Sequence, residues 1–173
     1  VSGCTFQSLF SNLLATPDTL GVASGASFGP VLALLLGFEM IGVQISALAF
    51  GLLAVVLTGL SGHGIGNSHS TPILAGIMIS SLFSSLVSLV KFTADTESQL
   101  PAITYWLMGS MESAGYHTLL LGAPPILICT VILLLLRWKM NFLPLSEEEA
   151  VSFGINLKAL RLTSEICATM ITA

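Results

Sequence analysis

The chain has 173 residues, 54% of them hydrophobic and only 8% charged, with a formal net charge of -4; a soluble domain carries about a quarter charged residues. With a mean hydropathy of +0.93 and several apolar stretches near or above the roughly 18 residues that cross a bilayer as helix, a soluble domain is excluded and an all-α, polytopic transmembrane helical bundle is expected. Five basic residues scattered over the chain make no patch for nucleic acid. Strand-period alternation is missing, which argues against an outer-membrane barrel. Cys4, Cys129 and Cys167 are odd in number and far apart in apolar surroundings, so they read as small buried hydrophobes, not as a disulfide framework or a zinc site.

In chain order, residues 1–12 read as the end of a first span. A Thr-Pro-Asp turn follows, in which Pro17 cannot continue a helix. The second span is expected over 21–36, the third over 44–60, the fourth from 71 to about 91, the fifth over 116–136, and a sixth from near Leu162. Loops lie at 37–43, 61–70 and 92–115, and a polar interval at 137–161. Arg137, Lys139, Lys158 and Arg161 all fall in that interval, which makes it cytoplasmic by the excess of basic residues at span ends. Counting back, 11–20 and 61–70 are cytoplasmic, while 37–43 and 92–115, the latter with Asp95, Glu97 and Glu112, are external. The first and last apolar runs are short for spans, so the chain reads as truncated at both ends.

Five motifs stand out. Gly21, Gly25 and Gly29 recur every four residues ahead of Pro30, leaving one helix face without side chains so that another backbone can approach closely; packing within one subunit is the simpler reading and pore lining the alternative. Ser80, Ser84 and Ser88, with Ser81 and Ser85 beside them, form a hydroxyl stripe on the fourth span. It either lines a water-filled path or bonds back to carbonyls one turn earlier and faces neighbouring helices. Pro72 suits a helix's first turn just after His69 and Ser70, and Pro124-Pro125 removes two backbone donors within the fifth span, where a kink is expected. In Leu143-Pro144-Leu145-Ser146-Glu147-Glu148-Glu149-Ala150-Val151-Ser152-Phe153-Gly154, Ser146 suits an N-cap with Glu149 at the capping-box position. Three acids sit in the first turn and Gly154 suits the C-terminal end, so a short capped helix of about two turns is expected between two spans. His63, His69 and His117 show no ligand spacing, and no metal site is expected.

The stretch from Gln7 to Ala26, centred on Ser11-Asn12-Leu13-Leu14-Ala15-Thr16-Pro17-Asp18, resembles the signature of the FecCD-type family, the iron-siderophore, haem and cobalamin permeases of ABC importers. Leu74-Ala75-Gly76, Tyr105-Trp106-Leu107-Met108-Gly109-Ser110 and the acidic 143–154 stretch extend the likeness over the whole chain. It departs at Leu13, where the family usually has Pro, and at Ser11, where a basic residue is common. The resemblance implies that 1–173 is a fragment of a single transmembrane permease domain, roughly the middle half of the family's subunit, with a cytoplasmic coupling segment at about 141–158. It further implies that Glu147, Ala150 and Gly154 couple to an ATPase, that His69 and Ser70 belong to a cytoplasmic gate, and that Ser80, Ser84 and Ser88 border the translocation path.

By the same resemblance the chain is a transport subunit of the bacterial cytoplasmic (inner) membrane, moving an iron-siderophore, haem or cobalamin-type substrate by alternating access. Its implied partners are an ATP-binding subunit, a periplasmic or lipid-anchored substrate-binding protein, a second permease copy or paralogue, and membrane lipid. No cofactor is expected on this chain, because Lys91, Lys139 and Lys158 lack a phosphate-loop setting and ATP would be used by the partner. An ion-coupled secondary transporter is the alternative. It would place ionisable residues near mid-membrane, whereas Asp18, Glu39, Glu112 and Glu165 fall near span ends or in loops.

Overall fold

The structure, a computed structural model, describes residues 1–63, 71–109, 116–143, 154 and 156–173. Among these the chain is helical throughout, with α1 (Ser2–Phe10), α2 (Val22–Leu35), α3 (Met40–His63), α4 (Thr71–Thr93), α5 (Gln99–Met108), α6 (Tyr116–Met140) and α7 (Leu157–Thr172). Windows in α3, α4 and α6 are long and apolar enough to cross a membrane.

The second element departs from the expected span. α2 has 14 residues, about 21 Å at 1.5 Å per residue, against a hydrocarbon core of about 30 Å. Most of its residues are buried, including Gly25, Phe28, Gly29, Pro30 and Val31, so it is an inner helix sheathed by its neighbours. Its contacts fix the packing order. Gly25 lies against Phe50 and Ala54 of α3 while Gly29 lies against Ser46 and Ala47, so the two helices run antiparallel. Ser24 meets Ser80, and Phe28 stacks near Phe83, so α4 runs parallel to α2 on another side. Phe28, Phe50 and Phe83 form the aromatic centre of this trio, with ring centroids 5.0 to 6.4 Å apart and two of the three pairs edge-on.

The interval 92–115, expected to be an external loop, contains a helix among its described residues. α5 forms within it because Leu100, Ile103 and Leu107 recur at helical spacing and Pro101 falls in the first turn, where no donor is needed. Ile103 is completely buried, and the Gln99 amide donates to the Leu35 carbonyl (3.1 Å), one of the orphan carbonyls at the end of α2. At 10 residues the helix is far below span length, which is why a search for spans passes over it.

A second core joins α1, α6 and α7: Phe6 and Leu9 pack with Leu143, Leu157, Leu160 and Ala168. α7 starts at Leu157, a turn or more before the expected Leu162, because Asn156 caps it by accepting from the Ala159 amide (3.1 Å). Its start therefore overlaps the end of the segment expected at 141–158. α6 runs as one helix through Pro124 and Pro125.

Candidate functional site

The polar turn between α1 and α2 is built almost wholly from its own side chains. Ser11 ends α1 in a left-handed conformation (φ 48), and the Asn12 amide donates back to the Gln7 carbonyl (3.1 Å). Asn12 Oδ1 accepts from the Leu14 amide (2.9 Å), an Asx turn. The Thr16 amide donates to Thr19 Oγ1 (2.8 Å), and the Thr19 hydroxyl reaches the Leu14 carbonyl at 3.0 Å. Pro17 accepts from the Val22 amide (2.9 Å), which closes the turn into α2.

This turn is gripped from two sides. Thr58 of α3, itself buried, donates to the Leu20 carbonyl (3.0 Å). From α4, Gly76 approaches so closely that a Cβ there would meet the Thr19 carbonyl and come within 2.6 Å of Leu20 Cα. Gly21, at φ +75, sits against the Gly76 carbonyl and the Ser80 amide, both 3.2 Å from where its Cβ would be. The two family-like motifs 11–21 and 74–76, some sixty residues apart in sequence, thus form one contact surface at the start of α4. Thr19, Ser24 and Thr58 hold this region, and Gln99 holds the far end of α2; none of them was singled out from sequence. A lone Thr in an apolar helix carries no signal of its partner, although Gly76 was visible as a motif residue.

Of the residues expected at functional positions, Gly25 and Gly29 face α3. A Cβ on Gly25 would lie 2.6 Å from the Phe50 carbonyl, and one on Gly29 would overlap the Ser46 carbonyl. The hydroxyl stripe divides. Ser80 is half-buried and shares a 2.6 Å hydrogen bond with Ser24 across the α2–α4 contact. Ser84 and Ser88, roughly 40° and 80° further round the helix from Ser80, are exposed, and Ser88 donates to the Ser84 carbonyl (3.0 Å). Ser81 and Ser85 likewise bond back one turn, to Ile77 and Ser81. Ser81 and Ser85 lie on the side of α4 that carries Met78, Leu82 and Leu89, all exposed.

His69, Ser70, Glu147 and Ala150 lie outside the described residues. Gly154 is exposed with φ +72, a conformation that favours glycine, and nothing lies within 4 Å of where its Cβ would be. It borders a cavity of about 600 Å³ between the end of α6 and the start of α7, lined also by Leu136, Trp138, Lys139, Asn156 and Thr163. Among the described residues no three His, Cys, Asp or Glu side chains converge as metal ligands. In the 92–98 loop the Ser98 hydroxyl donates to Asp95 Oδ2 (2.7 Å), which holds this carboxyl below its usual 3.8.

Comparison with known proteins agrees with this arrangement. A molybdate import system permease protein of Haemophilus influenzae is 40% identical over 162 residues, covering 93% of this chain and 48% of its own length. A hemin transport system permease protein of Yersinia pestis is 34% identical over 172 residues, covering 94% of this chain and 50% of its own. A cobalamin import system permease protein of Halobacterium salinarum is 30% identical, with 100% and 47% covered. Among solved structures, an inward-facing conformation of an ABC transporter assigned to the metal-chelate type superposes with a TM-score of 0.82 at 38% identity, covering 99% of this chain and 55% of that one. The chain spans about half the length of the curated relatives it matches. The family model described as the FecCD transport family matches residues 1–173, the whole of this sequence, and the chain belongs to that family.

Proposed function

We propose that this chain is part of the permease subunit of an ATP-driven importer in the bacterial cytoplasmic membrane, carrying a metal as a chelate or an oxyanion. The observation that carries the reading is the match of the family over all 173 residues, joined to a structural likeness of 0.82 to an ABC transporter. The substrates for which these relatives are named, molybdate, hemin and cobalamin, share a metal and little else. The substrate class is therefore drawn no finer than that, and iron-siderophores stay within it.

The described geometry supports a mechanism in which α2, the 11–21 turn and the start of α4 move as one body. Backbone-to-backbone contact at Gly25, Gly29 and Gly76 leaves no compressible side chain between them, and interlocked elements respond by discrete rearrangement and not by gradual bending. Motion applied at the segment holding Glu147, Ala150 and Gly154 by an ATP-binding subunit would reach this body through α6 and α7. The path would pass the exposed Ser84 and Ser88 face of α4, with His69 and Ser70 at the cytoplasmic gate. A second permease copy would supply the opposing wall, and a substrate-binding protein would deliver from outside.

The test is uptake by the full-length permease in liposomes, assayed with labelled molybdate, ferric siderophore, hemin and cobalamin. Uptake of one of these is expected only with the ATP-binding subunit, the binding protein and ATP, and it should persist when ion gradients are collapsed. Accumulation driven by a proton or sodium gradient without any ATPase would overturn the proposal.

A further inference from the structure

Three sulfur-bearing side chains that the transport reading leaves idle meet where α6 packs on α7. Cys129 of α6 and Cys167 of α7 are 4% and 5% exposed, and with Leu133 they form the buried centre of an apolar cluster bordered by Ile132, Met170 and Ile171. The Cys129 thiol donates to Met170 Sδ at 3.6 Å, and Cys129 and Cys167 belong to the same buried cluster. Cys167 and Met170 are three residues apart on α7 and so share a face. Both cysteines are free thiols.

We propose that Cys129, Cys167 and Met170 form a binding site for a soft monovalent metal ion, Cu(I), between α6 and α7. Ligand type argues first, since thiolate and thioether sulfur select Cu(I) over the harder divalent ions. Geometry argues next. A metal–sulfur bond of about 2.3 Å sets ligand sulfurs about 3.8–4.0 Å apart in tetrahedral or trigonal sites. The Cys129–Met170 separation of 3.6 Å is only a few tenths short of this, so small side-chain rotations admit the ion.

Charge decides the oxidation state. Binding of Cu(I) to one thiol releases one proton and forms one Cu–S bond, with copper and sulfur unchanged in oxidation state. The product is neutral, as an apolar site requires. The second thiol and the thioether complete the shell as neutral donors. Zinc in such a site would want four ligands, with imidazole or carboxylate among them, and none converges here among the described residues. Met170 is half-buried and forms the outer edge of the site.

The test uses the full-length protein with Cys4→Ser, purified in detergent and titrated anaerobically with Cu(I) against bicinchoninate. One copper per chain is expected, with ultraviolet thiolate-to-copper absorption and an X-ray absorption spectrum of sulfur ligands only. Cys129→Ser and Cys167→Ser should each weaken binding by more than the 10–100-fold typical of losing an outer-shell partner, and Met170→Leu should weaken it less. Cys129→Ala and Cys167→Ala serve where the serine variants fail to fold, since alanine leaves no unpaired hydroxyl in the apolar site. No copper retained against the chelator, or retention unchanged in folded Cys129 and Cys167 variants, would overturn the assignment.

Discussion

At the scale of single residues, closeness of backbone is the property most exposed to mutation. Gly76→Ala would drive a methyl into the Thr19 carbonyl and Leu20, and Gly29→Ala into the Ser46 carbonyl, where rigid backbone cannot yield. Each is expected to destabilise the folded protein by about 1–3 kcal/mol, the usual range for overpacking. Gly122→Ala is the control, because nothing lies within 4 Å of its Cβ position and helix propensity favours alanine by about 1 kcal/mol. Thermal unfolding in detergent should therefore rank Gly122→Ala at or above the parent and the other two well below it.

The serine stripe gives a second prediction at this scale. Single cysteines at Ser84 and Ser88 in a Cys-free background should react with a water-soluble thiol reagent if the outer face of α4 borders an aqueous path. A cysteine at Ser80 should react slowly, because that position is half-buried against Ser24. Leu82 is also exposed, but roughly 160° round the helix from Ser84, so its cysteine variant separates water from lipid: strong labelling at 84 and 88 with weak labelling at 82 marks a path. Equal protection of all the positions would remove Ser84 and Ser88 from the pathway.

At the scale of elements, α5 depends on a few polar contacts at its start. Gln99 joins it to the end of α2, and Asp95 accepts from the Ser98 hydroxyl and amide in the turn before it. Gln99→Ala should cost about 1 kcal/mol, the net worth of one such bond, and raise amide exchange across α5 while α2 and α3 stay protected. The Asp95 carboxyl titrates lower in the folded chain than in the unfolded one, so its contribution is fully present above 3.8. It is lost as pH falls below that value through the lower folded one. Its full solvent exposure keeps the effect local. Protection of the Ser98 amide should hold down to pH 3.8 and fall below it in the parent, and be already low above that pH in Asp95→Asn.

At the scale of the whole molecule, two larger cores organise the described residues beside the small α6–α7 cluster of Cys129, Leu133 and Cys167. One is the α2–α3–α4 trio with α5, the other joins α1, α6 and α7, and the 11–21 turn links them through Leu20 and Val22 in the second core and Thr58 and Gly76 in the trio. Gly154 sits at the edge of the second core in a left-handed conformation that costs other residues about 1–2 kcal/mol. In the full-length protein Gly154→Val should lower transport and substrate-stimulated ATP hydrolysis while membrane insertion is unchanged. Undiminished hydrolysis and assembly with the ATPase would show that this segment does not couple.

Composition and hydrophobic run length alone determined a helical membrane protein, because a backbone surrounded by lipid must satisfy its own hydrogen bonds. Local chemistry in the sequence likewise located the turn at Pro17, the start of α4 at Pro72 and the glycine face of α2. It did not reveal that α2 is a short inner helix, that α5 interrupts the interval expected to be an external loop, or that Ser80 is held against Ser24 while Ser84 and Ser88 stay exposed. Those features depend on which neighbour each face meets. An apolar, uncharged helix has little amphipathic contrast to announce its orientation, so burial here was decided by backbone fit at Gly25, Gly29 and Gly76 and by single hydrogen bonds such as Thr58 to Leu20.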